Sequence, residues 1–178
     1  MRVAIWQSQP IAHDVGANLE ALSAAAVDAS FDLLVLPELF STGYLFDDRT
    51  QVAALAEDPH RGRTAASLAA LAGRHQAVIV AGMATCIADQ VYNSAVVVSG
   101  QGTLAIYHKI HLFGAETELF SAGVHPPPVV SLPDGTRIGV MVCFDWAFPE
   151  MARSMALRGA QLLCHPANLV LPFCQRTM

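Results

Sequence analysis

Charge is scarce in this chain. Asp, Glu, Lys and Arg make up 14% of its 178 residues, against roughly 25% in an ordinary soluble domain. The 10 basic residues are outnumbered by 15 acidic ones, giving a formal charge of −5, and no Lys/Arg cluster is present to neutralise phosphates, so nucleic acid is excluded as an expected partner. Long apolar runs are missing too. The least polar stretch, Ala77 to Ala88, is interrupted by Gly82 and Thr85 and falls far short of the ~20 residues a membrane helix needs. The N-terminus meets polar residues after a few apolar ones and lacks the apolar block of a secretory signal, which makes the cytoplasm the expected location. Four cysteines, at 86, 143, 164 and 174, have no CxxC spacing, so neither disulfides nor zinc is expected, and Cys86, Cys164 and Cys174 read as structural. No internal repeat, low-complexity tract or linker interrupts the chain.

What is present is apolar. With 53% hydrophobic residues and a mean hydropathy of +0.41, more than solvent is expected to cover the surface. A chain of this length fits one domain, 1–178, able to bury roughly 70% of its unfolded surface. The patterning alternates. Val3 to Gln7, an alanine-rich amphipathic stretch from about Asn18 to Ala29, and Asp32 to Leu36 read as strand, helix, strand, the strands apolar on both faces as buried parallel strands are. A helix over Arg63 to His75 and a strand over Ala77 to Met83 follow. Tyr92 to Ser99 and Thr103 to Tyr107 flank the turn Gly100-Gln101-Gly102, which brings in antiparallel pairing and predicts a mixed sheet. After Lys109 the periodicity disappears for about twenty residues, and a loop of that length is usually functional or disordered. Val129 to Leu132 and Arg137 to Cys143 read as a second hairpin about Pro133-Asp134-Gly135. A helix from about Pro149 to Arg158, stopped by Gly159, leads to a last strand over Gln161 to His165.

Three strand-like runs each stop at a reactive group: Leu36-Pro37-Glu38, Tyr107-His108-Lys109 and Val140-Met141-Val142-Cys143. Ends of strands are where open α/β sheets gather ligand-binding residues. Taken singly, each group has an ordinary explanation: a buried small hydrophobe for Cys143, a strand-end or helix-start acid for Glu38, a solvated loop residue for Lys109. Together they suit thiol chemistry. A free thiol is only a few per cent ionised at neutral pH, so Cys143 needs a base. Glu38 can take its proton and return it to a leaving amine, while the Lys109 ammonium and the backbone N–H of Phe144 face a developing oxyanion. His108 and His111, an i, i+3 pair with no third ligand, read as packing or hydrogen-bonding groups rather than metal ligands. Asp145 reads as the anchor of the Cys143 turn. Glu150 reads as a first-turn helix acid, with Arg153 one turn on as its partner.

These segments resemble the nitrilase superfamily of carbon–nitrogen hydrolases, essentially from Met1 to Met178. The resemblance rests on Leu36-Pro37-Glu38-Leu39-Phe40, on Tyr107-His108-Lys109-Ile110-His111-Leu112-Phe113 and on Cys143-Phe144-Asp145-Trp146-Ala147-Phe148-Pro149-Glu150. His165-Pro166-Ala167-Asn168-Leu169 fits the strand and loop after the family's nucleophile helix. It implies Glu38, Lys109 and Cys143 as catalytic residues, and a second, supporting glutamate for which Glu116 fits the family spacing better than Glu118. The Cys-Phe-Asp-Trp-x-Phe-Pro-Glu run looks like the amidase and carbamoylase branches, which implies a small amide or N-carbamoyl substrate, a cysteine thioester intermediate and no cofactor or metal. A true nitrilase, or a non-catalytic remnant or interaction protein, are the alternatives. The implied fold is α/β, a four-layer αββα sandwich with mixed sheets, assembling as a homodimer or higher homo-oligomer. Family members continue past the Asn-Leu-Val segment, so the resemblance also implies that C-terminal strands are missing here.

Overall fold

The computed structural model describes residues 1–169. In chain order its elements are β1 (Val3–Ile5), α1 (Val15–Ala26), β2 (Leu33–Val35), α2 (Arg49–Leu55), α3 (Arg63–His75), β3 (Val78–Ile87), β4 (Gln90–Ser99), β5 (Gly102–His108), α4 (Glu116–Leu119), β6 (Val129–Ser131), β7 (Arg137–Val140), a 3-10 turn (Cys143–Ala147), α5 (Pro149–Leu157) and β8 (Leu162–Cys164). Five strands form one sheet in the order β1-β2-β3-β4-β5, and three form another in the order β6-β7-β8. Both sheets are mixed. β1, β2 and β3 run parallel and β3, β4 and β5 antiparallel, while β6 is antiparallel and β8 parallel to β7.

The period of two along the central strands explains the layering. Leu34, Ile79, Ala81, Val96 and Val98 point to one face, where they pack against Leu19, Leu22 and Ala26 of α1 and Leu68, Leu71 and Ala72 of α3. Their neighbours Leu33, Val78, Val80, Ala95 and Val97 point to the other face and meet Ile138, Val140 and Cys164 of the smaller sheet. On β7 the same alternation turns Gly139 outward, where Met155 of α5 lies close enough that any side chain would collide with it. The result is four layers: helices, sheet, sheet, helix. Residues apolar on both faces are what a doubly covered sheet requires.

Local chemistry sets the element ends. Asp14 caps α1 by accepting from the Ala17 N–H at 2.9 Å, so the helix begins at Val15 rather than Asn18 and ends at Ala26 rather than Ala29. α3 follows its predicted limits and closes on Gln76 in a left-handed conformation. Pro149 occupies the first turn of α5, where its missing N–H has no cost, and Gly159 follows that helix at φ +84°. Other features also depart from expectation. α2, capped by Asp48, was not foreseen because Asp47-Asp48-Arg49-Thr50-Gln51 reads as polar loop. β3 runs on to Ile87, and its tight turn to β4 uses Ala88 at φ +48° and Asp89 at φ +63°, conformations that Ala does not signal. Glu150 stands in the first turn of α5, but no ion pair joins it to Arg153. Cys174 and the apolar run around it lie outside the described residues.

Candidate active site

Glu38 leaves the end of β2 through Pro37 and is completely buried. Its backbone presses onto β3: a Cβ added to Gly82 would stand 2.4 Å from the Glu38 Cα and 2.7 Å from the Pro37 carbonyl oxygen. Only glycine admits that crossing. The Gly82 N–H donates to the Pro37 carbonyl at 3.1 Å and the Gly82 carbonyl accepts from the Phe40 N–H at 3.0 Å, which locks Glu38 to the sheet.

Lys109, the chain's one lysine, comes directly after β5 and is also fully buried. The Lys109 N–H donates to the Asn93 carbonyl, and its own carbonyl accepts from the Gly123 N–H, both at 2.9 Å. Its ammonium lies 2.7 Å from Glu38 Oε1 and 2.8 Å from Glu116 Oε2. Glu116 arrives from α4, the short helix within the segment without sequence periodicity, and it too is buried. Tyr44 donates its hydroxyl to Glu116 Oε1 at 2.6 Å, and the Phe113 N–H donates to Oε2 at 2.9 Å. Glu118 is exposed, whereas Glu116 stands beside Lys109. Asn93, from β4, donates through Nδ2 to Glu38 Oε1 at 2.7 Å and to Glu116 Oε1 at 3.3 Å.

Cys143 comes from the other sheet. It starts the 3-10 turn after β7 and has φ +41°, a left-handed conformation that costs a non-glycine residue energy and is held only by surrounding contacts. Its N–H donates to the Pro166 carbonyl at 2.9 Å, and its carbonyl meets His165 Nε2 at 2.8 Å. Asp145 fastens the turn from within. Fully buried, it accepts from the Val142 N–H at 3.0 Å and the Tyr107 hydroxyl at 2.9 Å through Oδ2, and faces the His111 N–H at 3.2 Å and His111 Nδ1 at 2.8 Å through Oδ1. The anchoring role expected of Asp145 is therefore seen. His111 stacks on Phe148 with ring centres 3.6 Å apart, and His108 bonds Ser94 and stacks on Tyr92. Both histidines hydrogen-bond and pack.

The two halves meet at Asn168. Its N–H donates to Glu38 Oε2 at 3.1 Å, and the Cys143 thiol points to its carbonyl at 3.8 Å. Electrostatics follow from burial. Desolvation raises the Glu38 carboxyl above the usual range, against the pull of Lys109 and with a further push from Glu116. Burial opposes charge on Lys109, but Glu38 and Glu116 outweigh it and hold the ammonium protonated. The Cys143 thiol is pushed up to about 12 by burial and by the neighbouring Glu38, with Lys109 acting in the opposite sense. Burial also lowers His165, leaving a neutral ring whose Nε2 donates to the Cys143 carbonyl. The resting thiol is thus neutral, and ionising it requires a proton acceptor at hand. An open cleft of about 470 Å³ shares Tyr44 and Asn168 with this cluster and is bounded by Gln7, Pro10 and Leu169. A larger groove of about 590 Å³ lies between Gly73, Gly100 and Asp134, and none of Glu38, Lys109, Glu116 and Cys143 lines it. Among the described residues no three His, Cys, Asp or Glu side chains gather as a metal site, and no helix is long and apolar enough to cross a membrane.

Asn93 and Tyr44 are the contacts that motif reading did not supply. The only trace of Asn93 is a carboxamide in the otherwise apolar run of β4, Val91 to Ser99. Tyr44 stands in a loop with no periodicity, and only the fold brings it to Glu116.

The chain is similar to proteins whose names describe carbon–nitrogen chemistry. A nitrilase from Pyrococcus abyssi is 45% identical over 159 residues, covering 89% of this chain and 60% of that protein. An (R)-stereoselective amidase from a Pseudomonas species is 33% identical over 152 residues, covering 85% of this chain and 53% of that protein. The chain thus spans a little over half the length of these curated relatives. A mutant of the amidase from Nesterenkonia sp. AN1, solved with acrylamide added at its active-site cysteine, superimposes with a TM-score of 0.83 at 30% identity over 97% of this chain and 68% of its own. The sequence pattern of the carbon-nitrogen hydrolases matches residues 2–176, and with the same layered fold beneath that match the chain belongs to the carbon-nitrogen hydrolase family, the nitrilase superfamily.

Proposed function

We propose that the chain hydrolyses the carbon–nitrogen bond of a small amide or N-carbamoyl amine, with Cys143 as nucleophile, Glu38 as general base and acid, Lys109 as oxyanion stabiliser and Glu116 as the group that holds Lys109. The observation that carries this reading is the buried Glu38–Lys109–Glu116 cluster set against a thiol at φ +41°. A neutral thiol beside a carboxylate of raised basicity suits proton transfer coupled to attack. Cys143 Sγ attacks the carbonyl carbon as its proton passes to Glu38. The carbonyl oxygen takes up the charge between the Lys109 ammonium and the Phe144 N–H, which follows the nucleophile and precedes the first bond of the 3-10 turn, from Asp145 N–H to the Val142 carbonyl. Collapse breaks the carbon–nitrogen bond, and the amine leaves with the proton from Glu38. Water, deprotonated by the same carboxylate, then cleaves the thioester to the acid and restores the thiol. A homodimer and a cytoplasmic location belong to the same reading, the first open to light scattering.

The Cys-Phe-Asp-Trp run favours amides over nitriles, while the relatives include both amidases and a nitrilase. Ammonia release from a panel of amides and N-carbamoyl amines, with Cys143→Ala as control, tests the proposal. Turnover lost in the control supports it. Conversion of nitriles with amides left untouched replaces it with nitrilase activity, and no turnover from a folded sample identifies a non-catalytic protein.

A further inference from the structure

Glu38 presents its two carboxylate oxygens to different neighbours. Oε1 accepts from Lys109 Nζ at 2.7 Å and from Asn93 Nδ2 at 2.7 Å, whereas Oε2 accepts from the Asn168 N–H at 3.1 Å, on the side of the Cys143 thiol. Asn93 also donates to Glu116 Oε1 at 3.3 Å, the same oxygen that Lys109 Nζ meets at 2.9 Å. Asn93 therefore spans the two carboxylates with one N–H to each. The orientation of its amide is fixed by charge, since exchanging nitrogen and oxygen would set a carbonyl against two carboxylate oxygens.

We propose that Asn93 is a positioning residue for Glu38, pinning Oε1 beside Lys109 and Glu116 so that Oε2 is the oxygen that exchanges the proton with Cys143. Two observations carry it beyond a contact within the core. Asn93 is completely buried, yet its Oδ1 accepts no hydrogen bond among the described residues, and a buried acceptor left unpaired weakens a fold. The gain from an amide at this position in an apolar strand is therefore on the Nδ2 side, at the carboxylates. Its backbone is also fixed, because its carbonyl accepts the Lys109 N–H at 2.9 Å, so one residue of β4 sets both Lys109 and Glu38. This matters once Lys109 turns an N–H toward the oxyanion: Asn93 still holds Oε1, and Glu38 keeps its alignment to the thiol.

The inference rests on the proposed Glu38–Cys143 proton transfer, but its test does not need a substrate. Glu38 faces Lys109 from the end of β5, Glu116 from α4, Tyr44 from the loop after β2 and Cys143 from the 3-10 turn, and Asn93 supplies a neutral donor that favours its ionised form. The rate at which iodoacetamide alkylates Cys143, read by peptide mass spectrometry across the acidic and neutral range, reports when Glu38 can accept the thiol proton. Asn93→Leu removes the donor, so the rise in alkylation moves to higher pH. Asn93→Asp adds a third carboxylate and moves it further. On an amide turned over by the wild type, Asn93→Leu lowers kcat roughly 10- to 100-fold with KM unchanged. An alkylation profile that stays in place in either folded variant overturns the inference. Failure of both variants to fold also overturns it, by assigning Asn93 to the fold. A displaced profile in a protein that hydrolyses no amide sustains the role of Asn93 and sinks the amidase reading instead.

Discussion

The carboxylate half of the site and the thiol half are built by different means. Glu38, Asn93 and Lys109 hang from the five-stranded sheet, whose central strands β3 and β4 are ten residues each and pair over nine successive positions. Cys143 hangs from a three-stranded sheet whose strands are three or four residues long, and it is held by side chains: Asp145, Tyr107, His111 and His165. Long ladders with both faces covered give backbone rigidity without help from polar side chains. Short ones do not, so a buried aspartate accepting from two backbone N–H groups takes over that task. Damage in the first half is therefore expected to appear as lost stability, and damage in the second as lost reactivity of the thiol.

The largest break falls in the carboxylate half. Lys109→Met leaves Glu38 and Glu116 facing each other in the interior, and removing one partner of a buried ion pair costs about 3–5 kcal/mol; urea unfolding is expected to show that loss or an unfolded chain. Gly82→Ala forces a methyl group into the Glu38 backbone and is expected to cost about 3 kcal/mol, at the upper end for overpacking, with hydrolysis lost alongside. In the thiol half, Asp145→Ala strands the Val142 and His111 N–H groups and the Tyr107 hydroxyl, for about 2 kcal/mol by the same denaturation. Its effect on Cys143 alkylation is expected to exceed what that stability loss explains; a parallel fall in both would erase the distinction between the halves.

The effect smallest at neutral pH is confined to alkali. The folded-state values of Cys143 and Cys164 are both raised from 9.0 to about 12. Below pH 9 the folded and unfolded chains hold these protons alike. Between about 9 and 12 the unfolded chain loses them first, so stability falls as pH rises, by at most about 1.4 kcal/mol per pH unit for each thiol. Lys109, also raised, adds to the loss above its ordinary value of 10.5. Cys143→Ala removes one of these protons, and its stability curve is expected to fall less steeply across that window.

The helix over Arg63–His75, the mixed pairing about Gly100 and the strand-end positions of Glu38, Lys109 and Cys143 were legible in the sequence, because each rests on periodicity or turn chemistry within a few residues. α2 was not, since its cap and first turn look like any polar loop. The two-residue turn at Ala88 and Asp89 was hidden because register with β4, and no preference of alanine, forces the left-handed conformation at Ala88.

The sequence by itself determined the alternation of elements, the two-faced burial of the central strands and the identity of the reactive groups, all of which depend on spacing along the chain. Only the tertiary structure decided what those groups touch. Asn93 between two carboxylates, Tyr44 on Glu116 and Asn168 joining the halves are contacts across 23, 72 and 130 positions of chain. The physical reason is that buried charge is governed by distance in space: Lys109 stays an ammonium and Cys143 a neutral thiol because of what two sheets bring within hydrogen-bonding reach.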